Sequence, residues 1–188
     1  GNHDAALDDL NRASALDSTS QIIKFNLALN HIYRSQPGEA QVILEDILAN
    51  QQDNSAMLES RLTLASLLFR SGQKEDLKRA KELCRQSVNV TATTIRSGSA
   101  TSSVYLWAGI AQFGVGDLGA AQGMLETALF MENRAFYTGM ANLWMGKLFD
   151  ARGNHERATD HYGLVISSAS AAYHQTEARF LIDNPFGS

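Results

Sequence analysis

The sequence has few of the residues that define several common classes of protein. It contains one cysteine, Cys84, so no disulfide can form within the chain, and we expect a reducing, cytoplasmic setting. Lysine and arginine total 16 against 20 acidic residues, which gives a net charge of −4 and no basic surface for a nucleic acid. No apolar run reaches the roughly 20 residues that cross a membrane. We therefore expect neither a nucleic-acid partner nor membrane insertion.

The patterns that indicate catalysis or metal binding are also missing. His155 and His161 lack the i, i+4 spacing of a zinc-binding helix, and a single cysteine leaves no pair for a structural metal. The Gly114 to Gly116 turn is too short for a phosphate-binding loop and follows a helical pattern, whereas such loops follow a strand. His3 and His155 stand at the same position of two Gly-Asn-His turns, which accounts for both as part of a repeat. We expect no cofactor, no metal and no enzymatic activity.

The sequence does contain an internal repeat. The stretch from Trp107 to Leu129 has a small residue in a first helix, a glycine turn, and an alanine and a large residue in a second helix. The pattern returns 37 positions later, pairing Gly109 with Gly146, Gly116 with Gly153, Ala121 with Ala158 and Leu125 with Tyr162. A fixed period of this size indicates a solenoid of stacked helix hairpins.

The repeat divides the whole chain. We expect the second helix of a truncated repeat at 1–18, helix hairpins at 21–50, 55–89, 102–131 and 137–168, and a capping helix at 171–183. Residues 90–101, rich in Ser, Thr and Gly, are expected to form a long loop. The capping helix should cover the last hairpin with Tyr173, Ala178, Phe180 and Leu181. Because the first residues look like the middle of a repeat, we expect the chain to be part of a longer protein.

These units resemble the tetratricopeptide repeat (TPR), which has a small residue in its first helix and Ala-x3-large in its second. The second-helix alanines are Ala6, Ala40, Ala80, Ala121 and Ala158, followed four positions later by Leu10, Leu44, Cys84, Leu125 and Tyr162. The family's terminal proline is missing, and Ala28 and Ala65 stand at the first-helix glycine position. The resemblance implies an all-α fold, a right-handed α-α superhelix that forms a single TPR-like solenoid over residues 1–188.

The resemblance also implies a binding surface, because TPR first helices line a concave groove that holds peptides or helices of other proteins. We call the corresponding residues here the inner-face positions: Phe25, Asn26, Leu29, Leu62, Ser66, Leu106, Trp107, Ile110, Leu143, Trp144 and Lys147. The co-chaperone subset of the family grips a C-terminal carboxylate with charged and polar residues there, whereas this sequence has Phe25, Leu29, Leu106 and Trp107. We therefore expect an apolar segment of another protein as the partner, not an acidic C-terminal tail.

Two functions remain open. In the first, the chain is a non-catalytic scaffold or adaptor that binds a partner peptide or helix in an apolar concave groove, with Trp107 and Trp144 as anchors. In the second, it is a structural subunit of a multiprotein complex, with its groove filled internally or by self-association. Exposed indole rings would favour the first function, and buried ones the second.

Overall fold

A computed structural model of the chain describes residues 3–49, 55–131, 134–168 and 172–187. These residues form α-helices and contain no strand, as the all-α prediction requires. The helices are α1 (His3–Leu16), α2 (Gln21–Tyr33), α3 (Pro37–Ala49), α4 (Ser55–Ser71), α5 (Lys74–Arg96), α6 (Ser102–Val115), α7 (Leu118–Met131), α8 (Ala135–Ala151), α9 (His155–Ser167) and α10 (Ala172–Asp183).

The chain divides into two compact units, residues 1–83 and residues 84–188. In the first unit, α2 packs against α1, α3 and α4. In the second unit, α6 pairs with α7 and α8 with α9, α7 also packs against α8, and α10 packs against α9 and α8. The pairs α2 and α3, α6 and α7, and α8 and α9 are thus in contact, and the predicted division of the chain into hairpins stays a prediction. A single solenoid over residues 1–188 stays a prediction.

The repeated alanines lie in the core, and in α7 and α9 they stand where the second helix of a hairpin contacts the first. Ala40, Ala80, Ala121 and Ala158 are all fully buried, and so are Leu44, Cys84, Leu125 and Tyr162 four positions later. A small side chain at the first position lets the helix backbones approach, and a large one at the second fills the space beside them. In α1 the pattern is weaker, because Ala6 is exposed and Leu10 is half-buried.

The first-helix glycines are required by the same close packing. A Cβ atom on Gly109 would lie 2.6 Å from Cγ of Leu125, and one on Gly146 would overlap the ring of Tyr162 at Cε1. Both contacts would be far closer than van der Waals contact. Gly116, which ends α6, has a φ of 91°, a left-handed conformation that glycine adopts without strain.

The long loop predicted at 90–101 is wrong for residues 90–96, because α5 continues to Arg96. Small polar side chains extend the buried stripe of this helix: Cys84, Ser87 and Thr91 are buried at spacings of three and four residues. The Thr91 hydroxyl donates to the backbone carbonyls of Ser87 and Val88, so it is satisfied inside the helix. Apolar periodicity alone does not detect a stripe of this composition.

The predicted capping helix corresponds to α10. Ala178 and Leu181 are buried as expected, but Phe180 is 62% exposed, so its predicted packing is wrong. Helical residues two positions apart point in directions that differ by about 200° around the axis. Phe180 therefore points away from α9 when Ala178 faces it. Ala171 and the side chain of Tyr173 lie outside the described part of the structure.

Two glycine-to-alanine substitutions in the second unit should have opposite effects. Gly146→Ala places a methyl group against the buried Tyr162 ring, and overpacking of this kind costs about 1–3 kcal/mol. Gly163→Ala adds a methyl group where nothing lies within 4 Å, so it should gain up to about 1 kcal/mol of helix propensity. Urea unfolding of both variants checks this. Equal stability of the two would contradict the close contact at Gly146.

Candidate interaction site

The structure places most inner-face positions in the interior. In the first unit, Phe25 and Leu62 are buried, Leu29 and Ser66 are half-buried, and Asn26 is exposed. In the second unit the six positions are all buried: Leu106, Trp107, Ile110, Leu143, Trp144 and Lys147. Trp107 is 1% exposed and Trp144 is 0% exposed. The expectation of an open apolar groove is therefore corrected for the second unit, where these side chains are part of the core.

Aromatic rings enclose the two tryptophans. The Trp107 ring meets the Tyr137 ring edge to face, with centroids 6.3 Å apart. The Trp144 ring meets the Phe113 ring in the same way at 5.1 Å, and the Phe113 ring also meets the Phe186 ring at 5.6 Å. Phe186 belongs to residues 184–187, which follow α10 and which we call the 184–187 segment. This segment and α10 thus contribute to the packing beside α8.

Lys147 connects α8 to α10. Its ammonium group is 2.7 Å from a carboxylate oxygen of Glu177 in α10, and the Lys147 side chain is 1% exposed. The same Nζ atom lies 4.3 Å from the centroid of the Trp144 ring and 5.5 Å from that of the Phe186 ring. Burying a charge requires such compensation, here from an ion pair and from aromatic faces. Removing either partner of the pair would leave an uncompensated buried charge.

Asp150, in the last turn of α8, is the centre of a buried polar cluster. Its side chain is fully buried, and the carboxylate accepts three hydrogen bonds. The Tyr162 hydroxyl donates at 2.7 Å, His155 Nδ1 lies at 2.7 Å, and the backbone N–H of Phe186 donates at 2.9 Å. Burial and the bond to Asp150 raise the pKa of the Tyr162 hydroxyl well above its usual value, which keeps it protonated as the donor.

Local sequence explains how α9 presents two donors to Asp150. The Asn154 side chain accepts the backbone N–H of Arg157 at 3.2 Å, so Asn154 caps the helix and His155 becomes its first residue. Tyr162 follows His155 by seven residues, about two helical turns, so both side chains lie on one face of α9. That face packs against α8.

His155 joins Asp150 to the end of α10. Its Nδ1 atom faces the Asp150 carboxylate, and its Nε2 atom lies 3.0 Å from the backbone oxygen of Ile182. A neutral imidazole has one N–H, whereas the imidazolium has two and can donate to both acceptors. The hydrogen bond to Asp150 is the main cause that raises the pKa of His155 above its ordinary value. Cation character also suits the carboxyl end of a helix.

The repeat register contained a signal for this cluster that the sequence analysis missed. At the 37-residue period, four apolar residues of one hairpin correspond to polar residues of the next: Ile110 to Lys147, Phe113 to Asp150, Leu118 to His155 and Leu125 to Tyr162. His155 was interpreted only as a repeated turn residue, and Asp150, Glu177 and Phe186 were not singled out. A position-by-position comparison of the two hairpins would have identified the polar set on α8 and α9, but not its partners from α10 and the 184–187 segment.

Among the described residues, the cysteine thiol and the potential metal ligands do not form a second candidate site. Cys84 is buried, and desolvation raises the pKa of its thiol to about 12. Across the described ranges, no three His, Cys, Asp or Glu side chains are grouped so that they could hold a metal ion. None of the helices in those ranges combines the length and the apolar character needed to cross a membrane.

Comparison with solved structures gives the fold class. The chain is similar to TTC0263, a thermophilic TPR protein in Thermus thermophilus, with a TM-score of 0.57 and 17% identity over 95% of this chain and 89% of that one. It also aligns with MamA at a TM-score of 0.46 and 13% identity, covering 95% of this chain and 92% of that chain. No family model and no curated protein matches the sequence. The chain has a TPR-like, all-α helix-hairpin fold.

The His155 contacts predict a specific dependence of stability on pH. Because the folded pKa of His155 is raised above its ordinary value of 6.5, its contribution is full below about pH 6.5 and is lost as the pH rises through the folded pKa. A His155→Gln variant should therefore lose less stability than the wild type between about pH 6 and pH 9. Urea unfolding at several pH values measures this difference.

The contribution of His161 to the pH dependence of stability cancels in this comparison. Burial, together with the nearby Arg157, lowers the pKa of His161, so its contribution to stability increases with pH and is common to both proteins. The difference between the wild type and His155→Gln thus isolates His155. Parallel pH profiles for the two proteins would contradict the charged hydrogen bonds of His155.

Proposed function

We propose that the chain is a non-catalytic protein-interaction scaffold that serves the assembly of a larger complex, with the inner face of its second unit filled by its own residues. The observation that carries this proposal is the burial of Trp107 and Trp144, together with the covering contacts of Glu177 and Phe186. The TPR-like fold is consistent with a role in binding proteins. The partners in such an assembly are other proteins.

The exposed apolar side chains of the second unit lie elsewhere than the inner-face positions. Phe130, at the end of α7, is 92% exposed, and Leu164 on α9 and Phe180 on α10 are also exposed. Large apolar side chains in water are disfavoured, and burying one against a partner contributes about 1.5–3 kcal/mol. These residues support assembly through outer surfaces of the hairpins.

The polar cluster does not favour catalysis. Asp150 and His155 have the spacing of an acid-base pair, but a general base needs a ring nitrogen free to accept a proton from a substrate. Both ring nitrogens of His155 already face acceptors of this chain, and the Tyr162 hydroxyl donates to Asp150. This arrangement supports a structural role for the cluster.

Capture of a peptide at the inner face has its best support in the first unit. Asn26 is exposed, and Leu29 and Ser66 are half-buried. Two of these three positions are polar, so an occupant there would need hydrogen-bonding groups as well as apolar ones. This differs from the purely apolar partner that the sequence alone predicts.

Tryptophan quenching by acrylamide tests the proposal, because the sequence has only two tryptophans. Trp107→Phe leaves the signal of Trp144, and Trp144→Phe leaves that of Trp107. Both single-tryptophan variants should be quenched much less than the same proteins unfolded in urea, since both indoles are buried. Quenching of the folded variants close to that of the unfolded chains would mean an open aromatic groove and would contradict an internally filled inner face.

A further inference from the structure

The 184–187 segment is held in a site that has the features of a peptide-binding site. The Phe186 ring contacts the Phe113 ring edge to face and lies 5.5 Å from the Lys147 ammonium. The backbone N–H of Phe186 donates to the buried carboxylate of Asp150. An aromatic anchor and a main-chain hydrogen bond are the contacts by which extended peptides are recognised. We call the three residues Phe113, Lys147 and Asp150 the Phe186 site.

The two charged residues of the Phe186 site also have partners outside the 184–187 segment. Without Phe186, Asp150 keeps the hydrogen bonds from Tyr162 and His155, and Lys147 keeps the ion pair with Glu177. These partners belong to α9 and α10, which hold the two charged groups in place. The site is therefore preorganised, and a ligand that enters it does not have to arrange it.

The 184–187 segment is less buried than the anchoring residues of the helix before it. α10 is anchored by the buried Ala178 and Leu181 and by Glu177. In contrast, Asn184 and Gly187 are exposed and Pro185 and Phe186 are half-buried. The segment also lines a pocket of about 490 Å3 together with Asp150, Ala151, Gly153 and His155. The anchors of α10 therefore do not involve residues 185–187.

The repeat register shows that a hairpin of this fold does not require the polar groups of the site. At the 37-residue period, the preceding hairpin has Ile110 where Lys147 stands and Phe113 where Asp150 stands. Its two helices pack closely with those apolar residues. Hairpin packing alone therefore does not account for Lys147 and Asp150, both of which contact Phe186.

We propose that the Phe186 site binds a short segment of another protein in which phenylalanine follows proline, and that the 184–187 segment is its intramolecular competitor. This inference rests on the proposed function and names one partner and its regulation. The ligand's phenylalanine ring takes the place of the Phe186 ring, and its main-chain N–H donates to Asp150. The preceding proline has no N–H and a fixed φ, which suits the bend and turn that residues 184–187 adopt in the site.

The covalent link gives the competitor an advantage. A tethered segment has an effective concentration on the order of millimolar, so it occupies the site unless a partner is concentrated or binds more tightly. A site that is open a tenth of the time shows an affinity weakened about tenfold. This arrangement predicts that the wild type binds a competing peptide weakly. A variant whose own segment no longer fills the site should bind the peptide more tightly.

The test uses a fluorescein-labelled peptide with the sequence of residues 181–187, LIDNPFG, and measures its anisotropy with the full chain. The Phe186→Ala variant vacates the ring position. Phe180→Ala is the matched control, because it removes an exposed phenylalanine of α10 outside the site. Circular dichroism establishes that both variants remain folded. Two altered peptides, one with alanine in place of phenylalanine and one with an N-methylated phenylalanine, test the ring and the N–H without changing the protein.

We expect the peptide to bind Phe186→Ala about tenfold or more tightly than it binds the wild type or Phe180→Ala, and both altered peptides to lose this binding. Absence of binding to folded Phe186→Ala would overturn the proposal, as would equal binding to Phe186→Ala and Phe180→Ala. Unchanged affinity of the N-methylated peptide would exclude the bond to Asp150. A wild-type dimer that dissociates on Phe186→Ala substitution would instead assign the site to a second copy of the chain.

The outcomes separate this inference from the function on which it rests. If the peptide does not bind while both tryptophans stay protected from acrylamide, the assembly proposal stands and the competitor proposal fails. If the tryptophans are accessible in the wild type, the inner face is not filled, and the assembly proposal fails whatever the peptide does.

Discussion

The buried carboxylate of Asp150 is the constraint on which the second unit depends. An ionised carboxylate inside a protein is tolerated only when hydrogen bonds replace its lost hydration. Asp150 obtains them from Tyr162 and His155 of α9 and from the main chain at Phe186. One side chain at the end of α8 therefore connects α9 with the residues that follow α10.

The function proposed for the chain follows from the way α10 and the 184–187 segment cover the inner-face positions of the second unit. With α10 and the 184–187 segment in place, Lys147 is paired with Glu177, and Trp144 is enclosed beside Phe113. Positions that would line a groove become core, and the energetic role of their side chains changes from binding a partner to holding the unit together. Reopening the site would require release of the segment, so occupancy of the Phe186 site and access to it are linked.

The hairpin register could be predicted from the sequence because it depends on local packing. Gly146 and Ala158 are small where α8 meets α9, and the 37-residue spacing to Gly109 and Ala121 identifies that contact without any knowledge of the fold. The continuation of α5 could not be predicted in the same way. Its buried stripe is carried by Ser87 and Thr91, which are residue types common in loops. The Thr91 hydroxyl is satisfied by a backbone carbonyl of the helix, a contact that the sequence does not reveal.

The site was less predictable than the fold, because its partners come from residues with no repeat pattern. Lys147 and Trp144 were predicted to line an open inner face. Both are buried, and Lys147 contacts Glu177 and lies beside the Phe186 ring, two residues that no periodicity connects to it. The 37-residue repeat does show that Asp150 occupies the position that the apolar Phe113 has in the preceding hairpin. Its meaning required knowing that the chain returns to α8 after α10.

The most direct test of this account is the hydrogen-exchange rate of the Phe186 amide, measured by NMR on the 15N-labelled chain. An amide that donates to a buried carboxylate should exchange at least about tenfold more slowly than the unprotected rate expected for its sequence. Such protection would place the Phe186 N–H on Asp150 in solution. Exchange at the unprotected rate would contradict the closure of the second unit by its own chain.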